Sequence, residues 1–403
     1  MKYRIVILTL ACALTQGSAW GQMSHKHASQ AACETVELRC ASKVTPAFGR
    51  DGTLWLAWMA GGQVSVASSK DGGRTLSTPI QITQGTPNLD GGPDARPKIA
   101  LDRKGDIAVA FSTFRDKAFN GEVFYSQSND GGKTFAVPRP ITDNTESQRF
   151  EALGFSSDGT LFAAWLDKRN RVPVRQTGKK YDGAALFFAT SKDEGASYSR
   201  AEMAADNTCE CCRLALAFDP SGHAVVAFRN LFEGGIRDHA IVTFNDQGAP
   251  GEVHRISEDD WQISACPHQG PSLSIGPDGT YHVVWYTNGR VRKGLFYAQS
   301  RDGGKTFSQP MPIGQLGKSP SRPYVISASH ATAVVWKEFD GEKTSVNLIT
   351  SADNGKTWSQ PRVIAVTADS SDHPLLVSNG HQTYLSWMTK ADGYHLQPIE
   401  GEP

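Results

Sequence analysis

An octapeptide that recurs along the chain, a strand–turn–strand pattern interleaved with it, and a composition rich in turn formers together predict an all-β fold. The architecture they predict is a single β-propeller of four-stranded antiparallel blades, seven in preference to six. The octapeptide reads "SKDGGRTL" at 69–76, "SNDGGKTF" at 128–135, "SKDEGASY" at 191–198, "SRDGGKTF" at 300–307 and "SADNGKTW" at 351–358. Its template is Ser-x-Asp-x-Gly-x-Thr/Ser-aromatic, with Leu76 the exception at the last place. Successive aspartates lie 59 residues apart from Asp71 to Asp130, 63 from Asp130 to Asp193 and 51 from Asp302 to Asp353. The gap of 109 between Asp193 and Asp302 is close to two periods, and a worn copy, "FNDQGAP", sits in its middle around Asp246.

Those residue types suit a tight turn between strands. Ser and Asp side chains hydrogen-bond turn backbone, Gly supplies a positive φ, and the closing aromatic can pack between neighbouring sheets. A calcium loop needs alternating acidic ligands, which the octapeptide lacks. The second pattern is a hairpin: "TPAFGRDGTLWLAW" at 45–58, "RPKIALDRKGDIAVAF" at 96–111, "FEALGFSSDGTLFAAW" at 150–165 and "RLALAFDPSGHAVVAF" at 213–228. It continues as "GPSLSIGPDGTYHVVW" at 270–285, "RPYVISASHATAVVW" at 322–336 and "HPLLVSNGHQTYLSW" at 373–387. Each reads as a strand, a turn and a strand ending in an aromatic. The seventh hairpin has no octapeptide after it. Its third strand is expected at 394–399, "YHLQPI", and 34–40, "ETVELRC", is expected to close the ring as its outer strand.

The octapeptide in its hairpin context resembles the Asp-box (bacterial neuraminidase repeat) propellers of the sialidase superfamily, over about residues 41–390. The resemblance implies a propeller whose active face lies opposite the boxes, three arginines that hold a substrate carboxylate, a Tyr-Glu nucleophile pair and an Asp acid/base. Many functions share one fold, so the residues must carry the rest.

Chain direction orients each blade. The inner strand starts on one rim, the second strand returns to it, and the octapeptide, joining third to fourth strand, lies on the other. The residues that open the inner strands are Thr45, Arg96, Phe150, Arg213, Gly270, Arg322 and His373. Three arginines, with Arg149 and His373 near them, make an expected ligand-binding set for an anionic glycan or another small anion, because a low-dielectric mouth ringed by cations focuses field on such a ligand. A structural alternative is that the arginines bridge neighbouring blades through carboxylates. The match of Ala95-Arg96-Pro97-Lys98 to the family's first arginine motif lacks the aromatic residue. Asp116 and Asp167, near the ends of second strands, are the candidate acids; Tyr286, Tyr324 and Tyr394 compete with Glu151 and Glu338 for the nucleophile pair.

The stretch Asn207-Thr208-Cys209-Glu210-Cys211-Cys212-Arg213 crowds three thiols into four residues. Matching Gly222 with Gly279 offsets two adjacent blades by 57 residues and puts Cys209 and Cys266 at equivalent places, with His268 close behind. The five residues are read in three ways: disulfides that staple the connectors, Cys and His ligands to a soft metal such as Cu(I) or Zn, or a redox-active thiol pair. Cys33 and Cys40 are expected to pair with each other, although a fully extended strand between them would hold them too far apart.

The chain begins like an exported one. Basic Lys2 and Arg4, an apolar run from Ile5 to Leu14 and small residues at Gly17, Ser18, Ala19 and Gly21 predict a signal peptide over 1–21 and a flexible segment over 22–32. The propeller is expected over 33–403, periplasmic or secreted. The lipoprotein-like "LTLAC" ending at Cys12 fits its pattern less well, and no later run suits stable membrane insertion. With 41 basic and 41 acidic side chains the net charge is zero, so there is no basic excess to attract nucleic acid. A monomer is expected. Three functions remain: a sialidase-like glycoside hydrolase, a non-catalytic binding propeller, and a metal-handling or redox propeller.

Overall fold

The computed structural model describes residues 35–399 except 93, 180 and 329–330. The expected signal peptide, the segment 22–32, Cys12 and Cys33 fall outside the described residues, and with Cys33 one end of the expected Cys33–Cys40 bridge.

Seven antiparallel sheets follow one another along the chain. Blade 1 comprises Lys43–Phe48, Leu54–Ala60, Gln63–Ser69 and Ile80–Gln81; blade 2 comprises Lys98–Leu101, Ile107–Phe114, Gly121–Ser128 and Arg139–Pro140. Blade 3 is Gln148–Phe155, Leu161–Asp167, Ala184–Ser191 and Glu202–Thr208; blade 4 is Ala215–Phe218, Ala224–Arg229, His239–Thr243 and His254–Arg255. Blade 5 is Ser272–Ile275, Tyr281–Asn288, Lys293–Ser300 and Met311–Ile313; blade 6 is Ser321–Ala328, Ala331–Phe339, Thr344–Ser351 and Arg362–Thr367. Blade 7 has Leu375–Ser378, Thr383–Thr389 and Gly393–Pro398. The seven-bladed all-β propeller is therefore as expected.

The closing strand expected at 34–40 is not formed by its described residues, 35–40. Leu38–Cys40 forms a short 3-10 turn, and blade 7 keeps three strands among the described residues. The reason lies in blade 1: Trp58 donates its indole N–H to the Val36 carbonyl at 2.8 Å, and Leu38, Cys40 and Ala41 pack with Met388, Tyr394 and Leu396. The segment thus covers the seam between blades 7 and 1 and adds no fourth strand to blade 7 among the described residues.

Apolar clusters, each shared by two adjacent blades, run around the array from blades 1 and 2 to blades 7 and 1. This closes the ring. Second strands are buried on both faces, which explains their near-continuous apolar runs, such as the fully buried Leu54–Ala60. The aromatic that ends each hairpin is Trp58, Phe111, Trp165, Phe228, Trp285, Trp336 or Trp387, and all seven are buried. Each indole N–H finds an acceptor, as a buried Trp requires: Trp165 on Asp167 at 3.0 Å, Trp285 on Asp259 at 2.8 Å, Trp336 on Glu338 at 2.9 Å.

The five octapeptides fold alike. In blade 2 the Ser128 hydroxyl donates to Asp130 at 2.8 Å and accepts from the Gly132 N–H at 2.9 Å. Asp130 also accepts from the Thr134 amide at 3.0 Å and hydroxyl at 2.7 Å. The closing aromatic reaches the preceding blade, as where Tyr198 meets Tyr125 edge-on at 4.6 Å and Trp358 meets Tyr297 at 4.7 Å. In the worn copy Asn245 takes over the turn, accepting from Gln247 and Ala249 amides at 3.0 Å each. The octapeptides and the first hairpin turns share one rim: Lys104 pairs with Glu194 at 2.8 Å, and Asn354 donates to Asp278 at 2.8 Å. Inner strands therefore begin on the opposite rim. No helix among the described residues is long and apolar enough to cross a membrane.

Candidate functional site

Where the inner strands begin they enclose a cavity of about 210 Å³, to which all seven blades contribute. Arg96, Lys98, Arg213, Arg322, Tyr324 and His373 line it. Arg213 Nη1 lies 3.0 Å and Arg322 Nη1 2.8 Å from the same oxygen of Asp94. The other Asp94 oxygen accepts the backbone N–H of Arg213 at 3.1 Å and of Gly270 at 2.9 Å. Asp94 is wholly buried. It reaches the mouth from the connector between blades 1 and 2, joining that connector to blades 4, 5 and 6. Arg322 sits where the strand register slips between Ser321 and Tyr324, at a left-handed φ of 55°. Such strain persists only where surrounding contacts over-determine it. Arg96 pairs with Asp372 at 2.7 Å and donates to the Val44 carbonyl at 3.0 Å, tying blade 2 to blades 7 and 1.

Further cations stand behind the arginines. Lys43 lies 3.7 Å from Asp372 and Lys337 donates to the Ser371 hydroxyl at 2.8 Å. Burial pushes Lys98 down to about 8 against the pull of Glu151, with Arg96 and Arg213 adding to the fall. Burial likewise lowers Lys337 to about 8, and lowers Lys43. Glu151 is raised by burial, opposed by Lys98. Burial, then Arg322, Arg96 and Arg213, hold His373 well below the usual histidine value, so it stands neutral. Six basic side chains (Arg96, Arg213, Arg322, Lys43, Lys98, Lys337) thus face three carboxylates (Asp94, Asp372, Glu151) in one electrostatic network. Cations exceed anions there.

Of the residues expected from sequence, Arg96, Arg213, Arg322 and His373 meet at this mouth. Arg149 does not line the cavity; it pairs with Asp90 at 2.7 Å and lies over the Phe114 and Phe150 rings. Asp116 sits in an exposed turn, accepting from Ala118 N–H at 2.9 Å and the Asn120 side-chain amide at 2.7 Å, and these bonds hold it below its ordinary value. Asp167 is buried, accepting from Trp165 and from the Arg169 guanidinium at 2.7 Å. Neither aspartate lines the cavity. Tyr324 does, but among the described residues it makes no hydrogen bond to Glu151, which instead accepts from Ser112. Tyr394 bonds Ser386 at 3.0 Å, and Glu338 serves Trp336 and the Gln315 amide. The arginines do bridge blades through carboxylates, the structural alternative, yet the cation excess leaves them capable of more. Sequence reading missed Asp94 and Asp372 and gave Lys98 no part in the site. An acidic residue just ahead of Arg96 and His373 was the available signal.

The thiols gather beside Arg213. Cys209 Sγ lies 3.6 Å from Cys211 Sγ and 3.7 Å from Cys212 Sγ, all three are buried, and their sulfurs lie within 4.8 Å of one another. Cys266 is exposed and lies near enough to Cys211 to interact with it, and none of the four is disulfide-bonded. The expected staples are therefore not formed. Arg237 Nη1 donates to Cys209 Sγ at 3.2 Å. Hydrogen bonds from Cys211 and Cys212, with Arg229 and Arg237 nearby, push Cys209 well below the ordinary thiol value. His268 stands apart from this sulfur group; its carbonyl accepts from Arg322.

No protein-family model matches the chain, and no curated protein matches it in sequence. Solved structures do match in fold. A polysaccharide lyase described as an ulvan lyase superposes with a TM-score of 0.58 at 10% identity, covering 89% of this chain and 94% of that one. A leech intramolecular trans-sialidase gives 0.50 at 11% identity, covering 86% and 82%. A Dyadobacter fermentans protein of unknown function gives 0.54 at 16% identity, covering 75% and 92%. The likeness establishes the architecture: this chain has a seven-bladed β-propeller fold similar to that of the polysaccharide lyase and the trans-sialidase.

Proposed function

We propose that the chain is an exported propeller that binds the acidic end group of a saccharide at the channel mouth. One observation carries the reading: Arg96, Arg213, Arg322 and Lys98 line a cavity to which every blade contributes, with Lys43 and Lys337 behind them and three carboxylates in the same electrostatic network. Low-dielectric walls strengthen such a field, and an arginine fork matches a carboxylate. Ligand pockets for larger molecules run to about 300–1,000 Å³. A cavity of about 210 Å³ suits one sugar residue at a chain end and not a length of polymer. Two named neighbours in fold support the choice of ligand: an ulvan lyase structure holds a glucuronate–sulfated rhamnose saccharide, and the leech trans-sialidase holds 2,7-anhydro-Neu5Ac. Binding without hydrolysis is the favoured form, since Asp116 and Asp167 are committed to other partners and no Tyr-Glu pair is assembled among the described residues.

Titration calorimetry with a glucuronate-terminated disaccharide, sialyllactose and neutral lactose tests this. The acidic sugars should bind and lactose should not, and Lys98→Met should weaken binding about tenfold, the worth of one partly screened charge contact. Equal affinity for lactose, or an unaffected Lys98→Met variant, would reject the reading.

A further inference from the structure

We propose that Cys209, Cys211 and Cys212 form a three-coordinate thiolate site for a soft monovalent metal ion, Cu(I), and that the exposed Cys266 is its entry thiol. Geometry comes first. An ion bonded to three sulfurs at about 2.3 Å, the usual metal–thiolate length, and lying in their plane holds them about 4 Å apart. Two of the separations here are 3.6 and 3.7 Å, so the ion enters with small side-chain movement. The coordination number follows from the fourth sulfur. Cys266 approaches Cys211 but is not part of the mutually close group, so the tetrahedron that structural zinc requires is not assembled. Soft thiolates with a low coordination number select Cu(I) instead.

The surroundings fit a charged, soft centre. Three thiolates and one monovalent ion carry two negative charges, and two guanidiniums answer them: Arg237, bonded to Cys209, and Arg229, buried close by. The three cysteines lie in an apolar cluster with Leu214 and Phe228, which excludes water. Their backbone is held before any ion arrives. The Cys209 N–H donates to the Arg229 carbonyl at 2.8 Å, the Leu231 N–H to the Asn207 carbonyl at 2.6 Å, and Asn207 takes a left-handed φ of 56°. A buried site needs a path, and Cys266 supplies it by thiol-to-thiol exchange with Cys211. No electron moves: Cu(I) enters as Cu(I), and the thiol protons leave to solvent.

The test is anaerobic titration of the reduced, full chain with Cu(I) against a competing chromophoric Cu(I) chelator, paired with X-ray absorption of the loaded protein. One Cu(I) per chain with three sulfur neighbours at about 2.3 Å is expected. Cys209→Ser and Cys212→Ser should each weaken retention about 100-fold or more, while Cys266→Ser keeps the stoichiometry and slows loading. Circular dichroism shows whether the serine variants fold; if one does not, the absorption spectrum of the unaltered chain decides. Four sulfurs around a preferentially bound Zn, no retention against the chelator, or disulfides among these cysteines in protein isolated from its natural compartment would each overturn the proposal.

Discussion

Replacing Asp94 with Ala removes the carboxylate on which the mouth converges. Its two oxygens accept from Arg213 Nη1, Arg322 Nη1 and the backbone N–H groups of Arg213 and Gly270, at 2.8–3.1 Å. Removing one partner of a buried ion pair costs about 3–5 kcal/mol, because the surviving charge is left desolvated and unpaired. The Arg213 and Arg322 side chains are 12% and 16% exposed and keep some hydration, which places the loss at the lower end, about 3 kcal/mol. Urea unfolding at fixed ionic strength reads this directly. With a slope of a few kcal/mol per molar, the midpoint should fall by about 1 M. Acetate should restore part of the loss by supplying a carboxylate between the two freed arginines, and acidic saccharide should bind the variant more tightly than the unaltered chain. Asp94→Asn, which keeps an acceptor for the backbone amides, should lose less. A loss under about 1 kcal/mol, with no response to acetate, would refute the idea that Asp94 holds the mouth together.

The mouth should also respond to alkali. Lys98 and Lys337 titrate at about 8, so both are charged below that pH and neutral above it; the affinity for an acidic sugar should fall between pH 7 and 9, and Lys98→Met should flatten the calorimetric profile. At the other rim, hydroxyl and amide donors hold Asp71, Asp193, Asp302 and Asp353 at about 2. Folded values below the ordinary carboxylate range mean stability that is full above pH 4 and lost as pH falls towards 2, so acid unfolding should set in over that window and Asp302→Asn should shrink the pH dependence. Two adjacent glycines separate backbone strain from crowding. Gly131, at φ 73°, has open space where a Cβ would go, and its change to Ala should cost about 1 kcal/mol. A Cβ on Gly132, at φ 80°, would lie 2.0 Å from Trp55 Cη2 of the preceding blade. That change should cost about 2–4 kcal/mol in urea unfolding, strain and overpacking together.

The fold was legible because a propeller writes each blade twice, once as a hairpin ending in a buried aromatic and once as a turn whose Ser, Asp and Gly all bond locally. Trp58, Trp285 and the Asp130 turn needed no long-range information. The rim assignment followed from chain direction alone, and it brought Arg96, Arg213 and Arg322 to one mouth and Cys209 to its two neighbours. What was not legible lies in connectors, which have no period. Asp94 and Asp372 bind arginines of blades distant in sequence, over separations of 119 to 276 residues. Asp116 and Asp167 looked free only because their donors, Asn120 and Arg169, are local and ordinary. The 34–40 segment alternates like a strand, and the Trp58 indole, reaching Val36, is what claims it for another task.

The most direct measurement is a crystal structure of the chain with a glucuronate-terminated saccharide. The terminal carboxylate should lie within hydrogen-bond distance of the Arg213 and Arg322 guanidiniums or of Lys98 Nζ, at the rim away from Asp130 and its counterparts. Sugar bound beside those aspartates, or along the outer edges of the blades with the mouth empty, would contradict the account.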